Sequence, residues 1–138
     1  MITAGLTTSF KEQVLLGVHD LLNDVIKIAL YTSSASLGPT TTIYSATDEV
    51  SDATYTAGGN VLLNVVVSGS QGVGYASFDN PEWIGANFTA RGALIYNYTK
   101  SNKSIGVLNF GTDQTMSYQS FLIQLPTNNP ETAVIRIT

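Results

Sequence analysis

Apolar residues first recur at helical spacing and then, from Val25 onward, at every second position, which predicts one short helix followed by strands. Phe10, Val14, Val18, Leu21 and Leu22 share one face at about 100° per residue, and Ser9 with Glu12 fits a capping box. The expected helix therefore runs over about residues 9–23, with Asn23 and Asp24 ending it. A short, one-sided helix needs a sheet to lie against. Ile26, Ile28 and Leu30 then alternate with Lys27, Ala29 and Tyr31, the pattern of a strand with one buried face.

Residues 32–60 are rich in Ser, Thr and Gly. They read as a long, partly ordered loop with at most a short strand around Glu49 to Tyr55. A loop of that length is more often an interaction surface than a passive connector. Beyond it, Val61–Ser68 and Val73–Asp79 read as a hairpin across Gly69-Ser70-Gln71-Gly72. Thr89–Tyr96 and Ser104–Phe110 form a second across Tyr98–Lys103, and Phe121–Leu125 with Ala133–Ile137 a third across Thr127–Glu131. Strands do not alternate with helices, which argues against a parallel α/β fold. The expected architecture is mostly β: a single-domain antiparallel β-sandwich over residues 1–138, jelly-roll-like, with one short N-terminal α-helix. Neither a repeat nor a linker interrupts it.

Composition narrows the function classes. The chain has no cysteine, so disulfides and thiolate metal sites are excluded. Six basic residues against ten acidic ones supply no basic face for phosphates, so nucleic acid is not an expected partner. No apolar run reaches the roughly 20 residues of a membrane span, and Met1–Phe10 has no signal-peptide pattern, so neither a membrane nor secretion is expected. The sequons at Asn87, Asn97 and Asn102 then read as chance products of an Asn/Thr-rich chain. Charged residues are only 12 % of the chain, replaced largely by Ser, Thr, Asn and Gly. Small neutral polar groups are inexpensive to desolvate, which suits a protein packed against other subunits. A secreted β-domain with ordinary Ser/Thr-rich faces fits the same composition.

Candidate chemistry is sparse. His19, the one histidine, lies at the margin of the apolar stripe beside Asp20, which points about 100° away from it. A structural role is expected rather than a general base. Asp48, Glu49 and Asp52, or Asp79 with Glu82, could in principle flank a sugar bond; the first set could instead form a weak calcium loop, but neither has an EF-hand spacing, and solvated loop charge is the expectation. Gly69, Gly72 and Gly74 belong to a hairpin turn, not a phosphate loop. Trp83 reads either as a core plug or, with Tyr55 or Tyr75, as a sugar-stacking platform. Tyrosine is favoured at interfaces, and Tyr31, Tyr44, Tyr96, Tyr98 and Tyr118 fall at strand ends or in loops. The residues expected to meet a partner are Tyr31, Tyr44, Asp48, Glu49, Tyr55, Trp83, Arg91 and Tyr98. Arg91 needs a carboxylate or carbonyl partner, with Asp79 and Glu82 as candidates. No catalytic, cofactor or metal residues are expected.

Several phrases recur together: Lys27-Ile28-Ala29-Leu30-Tyr31-Thr32, Tyr44-Ser45-Ala46-Thr47-Asp48-Glu49-Val50, Tyr55-Thr56-Ala57-Gly58-Gly59, Phe88-Thr89-Ala90-Arg91-Gly92-Ala93-Leu94-Ile95-Tyr96-Asn97, and Val107-Leu108-Asn109-Phe110-Gly111. In this order they resemble a family of small virion structural proteins of tailed bacteriophages, over most of the chain. The resemblance implies a place in the virion, on capsid or tail, after assembly in the host cytoplasm, and carries no family catalytic residues. The leading expectation is a capsid decoration (cement) protein. It would be a homotrimer bound to the major capsid protein at capsomer junctions, meeting it through Met1–Thr8 and the long loop. The alternative is a receptor- or carbohydrate-binding module of a tail fibre or baseplate. A hydrolase working through the loop carboxylates is a third, less favoured class.

Overall fold

Thr8–Leu15 form the helix α1 in the computed structural model, which describes every residue from Met1 to Thr138. Its cap is Thr7 rather than Ser9. Thr7 is extended, its hydroxyl accepts the Phe10 N–H at 3.3 Å, and its own N–H donates to the Ile105 carbonyl at 3.0 Å. The bond to a strand fixes the start of the helix two residues before the expected capping box. The helix also stops earlier than residue 23. Gly17, at φ 70°, closes a Schellman turn in which Val18 N–H reaches Gln13 O and Gly17 N–H reaches Val14 O. Phe10 is the helix residue that is buried, while Leu15, Leu16 and Leu22 lie open to solvent.

The strands in chain order are β1 (Gly5–Leu6), β2 (Ile26–Tyr31), β3 (Asn60–Val61), β4 (Val66–Ser70), β5 (Val73–Ser77), β6 (Glu82–Ala86), β7 (Thr89–Asn97), β8 (Lys103–Thr115), β9 (Gln119–Leu122) and β10 (Ile135–Ile137). They form a five-stranded sheet ordered β1-β8-β7-β2-β3, a three-stranded sheet β10-β5-β4 and the pair β6-β9, with every named strand pairing antiparallel. The molecule is thus the mostly β, sandwich-like fold with one short helix that the pattern predicts.

The principal core lies on one face of the large sheet. Ile26, Ile28 and Leu30 of β2 and Ile95 of β7 meet Ala76, Trp83, Phe121 and Ile135 from the smaller sheets, with Phe10 of α1. A fully buried side chain of this kind is worth about 1.5–3 kcal/mol relative to exposure. Strand β2 departs from the expected single buried face. Ala29 and Tyr31 are as deeply buried as their neighbours, in a second cluster with Ile2, Leu37, Leu94 and Val107 on the opposite side of the sheet. A strand central in its sheet is covered on both sides when another segment lies over it. Here the cover is the N-terminal residues and the long loop.

Two of the three expected hairpins form. Strands β4 and β5 turn through Gln71 and Gly72 alone, both at positive φ (53° and 78°), so the connection is a two-residue turn whose twist matches the strands. Strands β7 and β8 pair with two irregularities, one beside Arg91, where Ala90 faces Gln114 and Gly92 faces Asn109, and one between Ile95 and Tyr96, which face Gly106 and Ser104. The third pairing is absent. Strand β9 pairs with β6, placing Phe121 opposite Trp83, and β10 pairs with β5. Thr127–Glu131 is not a hairpin turn either: the Asn129 carboxamide oxygen accepts from the N–H groups of Glu131 and Thr132, folding the segment locally. Two adjacent β-prone runs have several possible mates, and burying Phe121 against Trp83 and Phe88 outweighs pairing with the nearest strand.

Candidate functional site

Glu49 is the centre of the long loop's structure. Its side chain is only 8 % exposed. One carboxylate oxygen accepts from the Tyr44 hydroxyl at 2.6 Å, and the other accepts from the Tyr55 hydroxyl at 2.5 Å and the Gly58 N–H at 2.8 Å. A buried carboxylate is tolerable only when hydrogen bonds replace its water. Tyr55 passes the network on, its oxygen accepting the Leu30 N–H of β2 at 2.9 Å. Tyr96 of β7 donates to Gly58 O at 2.6 Å and stacks on Tyr44 with centroids 4.7 Å apart, while Tyr31 donates to Ser45 O. The loop is therefore tied to β2 and β7 by four phenols, two ending on the Glu49 carboxylate and two on the loop carbonyls of Ser45 and Gly58.

Burial, and next the nearby Glu49 charge, push the Tyr96 phenol up to about 12. Burial likewise raises Tyr31, Tyr44 and Tyr55, with the Glu49 charge adding at Tyr31 and the hydrogen bonds to Glu49 adding at Tyr44 and Tyr55. All four stay protonated as donors. The expected short strand at Glu49–Tyr55 reduces to a single bridge between Tyr31 and Glu49, because Val50 and Tyr55 turn inward to the core instead of extending. The excursion is an ordered cover, not a partly ordered loop.

Pinned in this way, the loop displays a continuous neutral surface. No residue from Thr32 to Thr47 is charged, and Ser33, Ser34, Ser36, Thr40, Thr42 and Thr47 are exposed. A shallow depression of about 380 Å³ lies among Thr40, Thr41, Thr42, Ser45 and Asp48, with Tyr31 at its base. The N-terminal residues join the same surface. Ile2 bridges Leu37 in parallel, Thr3 N–H donates to Leu37 O, Thr8 N–H to Pro39 O, and the terminal ammonium to Ala35 O. The two segments expected to meet a partner are thus neighbours in space.

The residues expected to contact a partner divide sharply. Tyr31, Glu49, Tyr55 and Trp83 are buried, and Tyr44 is half-buried within the same network. These five are built into the fold, although Tyr31 also lines the depression and Tyr44 is partly open to solvent. Trp83 sits in the core, stacked near Tyr55 and tilted against Phe121, so the sugar platform of Trp83 and Tyr55 does not exist. Asp48, Arg91 and Tyr98 do reach solvent. Arg91 pairs with Asp113 at 3.1 Å, not with Asp79 or Glu82, because the β7–β8 irregularity carries Asp113 across to it. Tyr98 lies under the Lys27 ammonium, 4.8 Å from the ring centroid. Asp52 caps its own turn through Thr54, and Asp79 bonds Asn64, so the loop carboxylates serve local structure.

A second polar cluster was not legible in the sequence. His19 Nε2 bonds Gln13 Oε1 at 2.8 Å, and Asn97 Nδ2 lies 3.0 Å from His19 Nδ1 and 2.8 Å from Asp24 Oδ2. Lys100 pairs with Asp24 at 2.9 Å. An amide donor at Nδ1 makes that nitrogen the acceptor and fixes the neutral Nε2–H tautomer. Desolvation lowers the imidazole pKa, with Lys100 and Lys103 adding to it against Asp24. Burial alone would raise Asp24, but hydrogen bonds from Asn97 and Lys100 bring it below the usual carboxylate range. Asn97 is fully buried, which closes its sequon to modification. The only signal along the chain was a polar residue at the end of an apolar strand.

No helix is long and apolar enough to cross a membrane, and no three His, Asp or Glu side chains gather as a metal-holding group would require. Comparison with family models, curated proteins and solved structures finds no match for this chain.

Proposed function

We propose that this chain is a non-enzymatic virion structural protein of a tailed bacteriophage, a decoration protein that stabilises the head by bridging major capsid subunits. The observation that carries the reading is the Thr32–Thr47 surface: uncharged, hydroxyl-rich and held rigid from beneath by Glu49. A surface ordered before binding loses little conformational freedom on docking, and a surface without ions has little solvation to give up. Adhesion across subunit boundaries then couples their rupture and opposes internal pressure. A standard interface of about 1,600 Å² in total is within reach of a domain this size.

The test uses the whole protein with purified particles that lack it. Because Glu49 and Val50 are interior, deleting the loop would unfold the chain, so the informative variants are the exposed substitutions Thr40→Glu and Thr42→Glu. Together they are expected to leave the circular dichroism spectrum native and to lower particle binding at least tenfold, about 1.4 kcal/mol. Unchanged binding by the folded double variant would remove this surface from the interface.

A further inference from the structure

The hairpin β4–β5 stands out from the body of the protein. All five residues of β4 are exposed, on both faces of the strand, with Val66 at 56 % and Val67 at 52 %. Strand β4 is also an edge, since β5 is its one partner. Ser70 faces Val73 across the two-residue turn, so the pairs Ser70–Val73, Ser68–Tyr75 and Val66–Ser77 exchange the hydrogen bonds inside the hairpin. The backbone N–H and C=O groups of Val65, Val67 and Gly69 therefore point outward. No turn or loop hydrogen bond uses them.

Proteins usually guard such an edge with lysine, proline, a bulge or an inward charge. Here none is present. The β4–β5 register is unbroken, and from Ala53 to Phe78 there is neither a proline nor a charged residue. What fits bare donors and acceptors at strand spacing is another strand. The chain's net charge of −4 makes most pairs of its surfaces repel, while this neutral stretch does not.

We infer that β4 pairs antiparallel with β4 of a second copy of this chain about a two-fold axis centred on Val67. Centring there sets Val67 against Val67 of the partner subunit and Val65 against Gly69 of the partner subunit. The outward groups of each strand then meet, giving about six backbone hydrogen bonds at two per pair. The small Gly69 leaves room for the opposing valine. Two three-stranded sheets become one of six, and the exposed valines gain cross-strand neighbours. The contact is isologous, so it closes at two copies. A homotrimer built through other surfaces would leave this edge bare.

Sedimentation velocity of the purified full chain is expected to give a dimer, and Val67→Lys a monomer with a native circular dichroism spectrum. The chain has no cysteine, so Val67→Cys introduces a single thiol. Mild oxidation should link it to its own mate at least tenfold faster than Ile84→Cys, which is exposed on β6, outside the β10-β5-β4 sheet. A wild-type monomer or trimer, a Val67→Lys dimer, or equal cross-linking at the two positions would each overturn the inference. If Val67→Lys fails to fold, the cysteine comparison decides alone. No readout involves a capsid, so failure here leaves the proposed attachment surface standing.

Discussion

Glu49 shows how much one interior carboxylate can organise. Two phenols and one amide end on it. Removing the side chain would leave those donors buried and unpaired, at about 1–3 kcal/mol each. Glu49→Ala is accordingly expected to cost 3 kcal/mol or more (roughly the sum of such penalties) in urea denaturation. Glu49→Gln keeps one acceptor oxygen and should cost clearly less. If both variants unfold at the wild-type midpoint, the carboxylate does not hold the loop. Tyr55 belongs to the same unit, since it donates to Glu49 while accepting from Leu30. Effects of Tyr55→Phe and Glu49→Ala should therefore not add, as expected of neighbours that share partners.

At the scale of elements, the chain's local patterns were informative and its long-range choices were not. The hairpin between β4 and β5 and the β-prone run in β7 announce themselves through glycine placement and apolar content, although the first turn is two residues, Gln71-Gly72, where the glycines suggest four. Helix α1 differs from its sequence pattern at both ends for specific reasons. Thr7 and Ser9 are equally good caps in sequence, and only the bond to Ile105 selects Thr7. The apolar residues after Gly17 keep helical spacing although the backbone has turned away. The mate of Phe121 depends on Trp83, nearly forty residues away, which no periodicity reports. Glu49 and Tyr55 read as partner-facing in sequence because polar context dominates their neighbourhood, yet both are interior, as is Val50 between them. One glycine in that loop did carry a readable constraint. Gly59 has φ 78°, and a Cβ built there would lie 1.8 Å from the Ile28 carbonyl oxygen. Gly59→Ala thus combines a left-handed backbone with a backbone clash against β2. It is expected to destabilise by at least about 2 kcal/mol, read as a lowered thermal midpoint, whereas Gly72→Ala, also at positive φ but in open space, should cost less. Equal losses at the two sites would show that the approach to β2 is not the constraint.

The two polar clusters together give the whole molecule a stability that depends on pH in opposite senses at its two ends. His19 titrates at a lower pH folded than unfolded, because its imidazole is desolvated and its Nδ1 faces an amide donor. Below about 6.5 the unfolded chain binds this proton and the folded one resists it, so the contribution is fully present above 6.5 and is lost as pH falls. The four phenols behave oppositely. Tyr31, Tyr44, Tyr55 and Tyr96 all titrate higher folded than unfolded, Tyr96 at about 12. Their contribution is complete below about 10, where the unfolded phenols keep their protons, and falls away as pH rises through 10 toward 12. Chemical denaturation across pH should therefore trace a plateau between about 6.5 and 10 with a shoulder on each side. The first part of the acid shoulder, above the carboxylate range, should vanish in His19→Gln, while the alkaline shoulder should persist there and coincide with the appearance of tyrosinate absorbance. An acid shoulder unaltered in the folded His19→Gln variant would place its origin elsewhere. Tyrosinate from all four phenols without loss of structure would mean that the network around Glu49 does not need its protons.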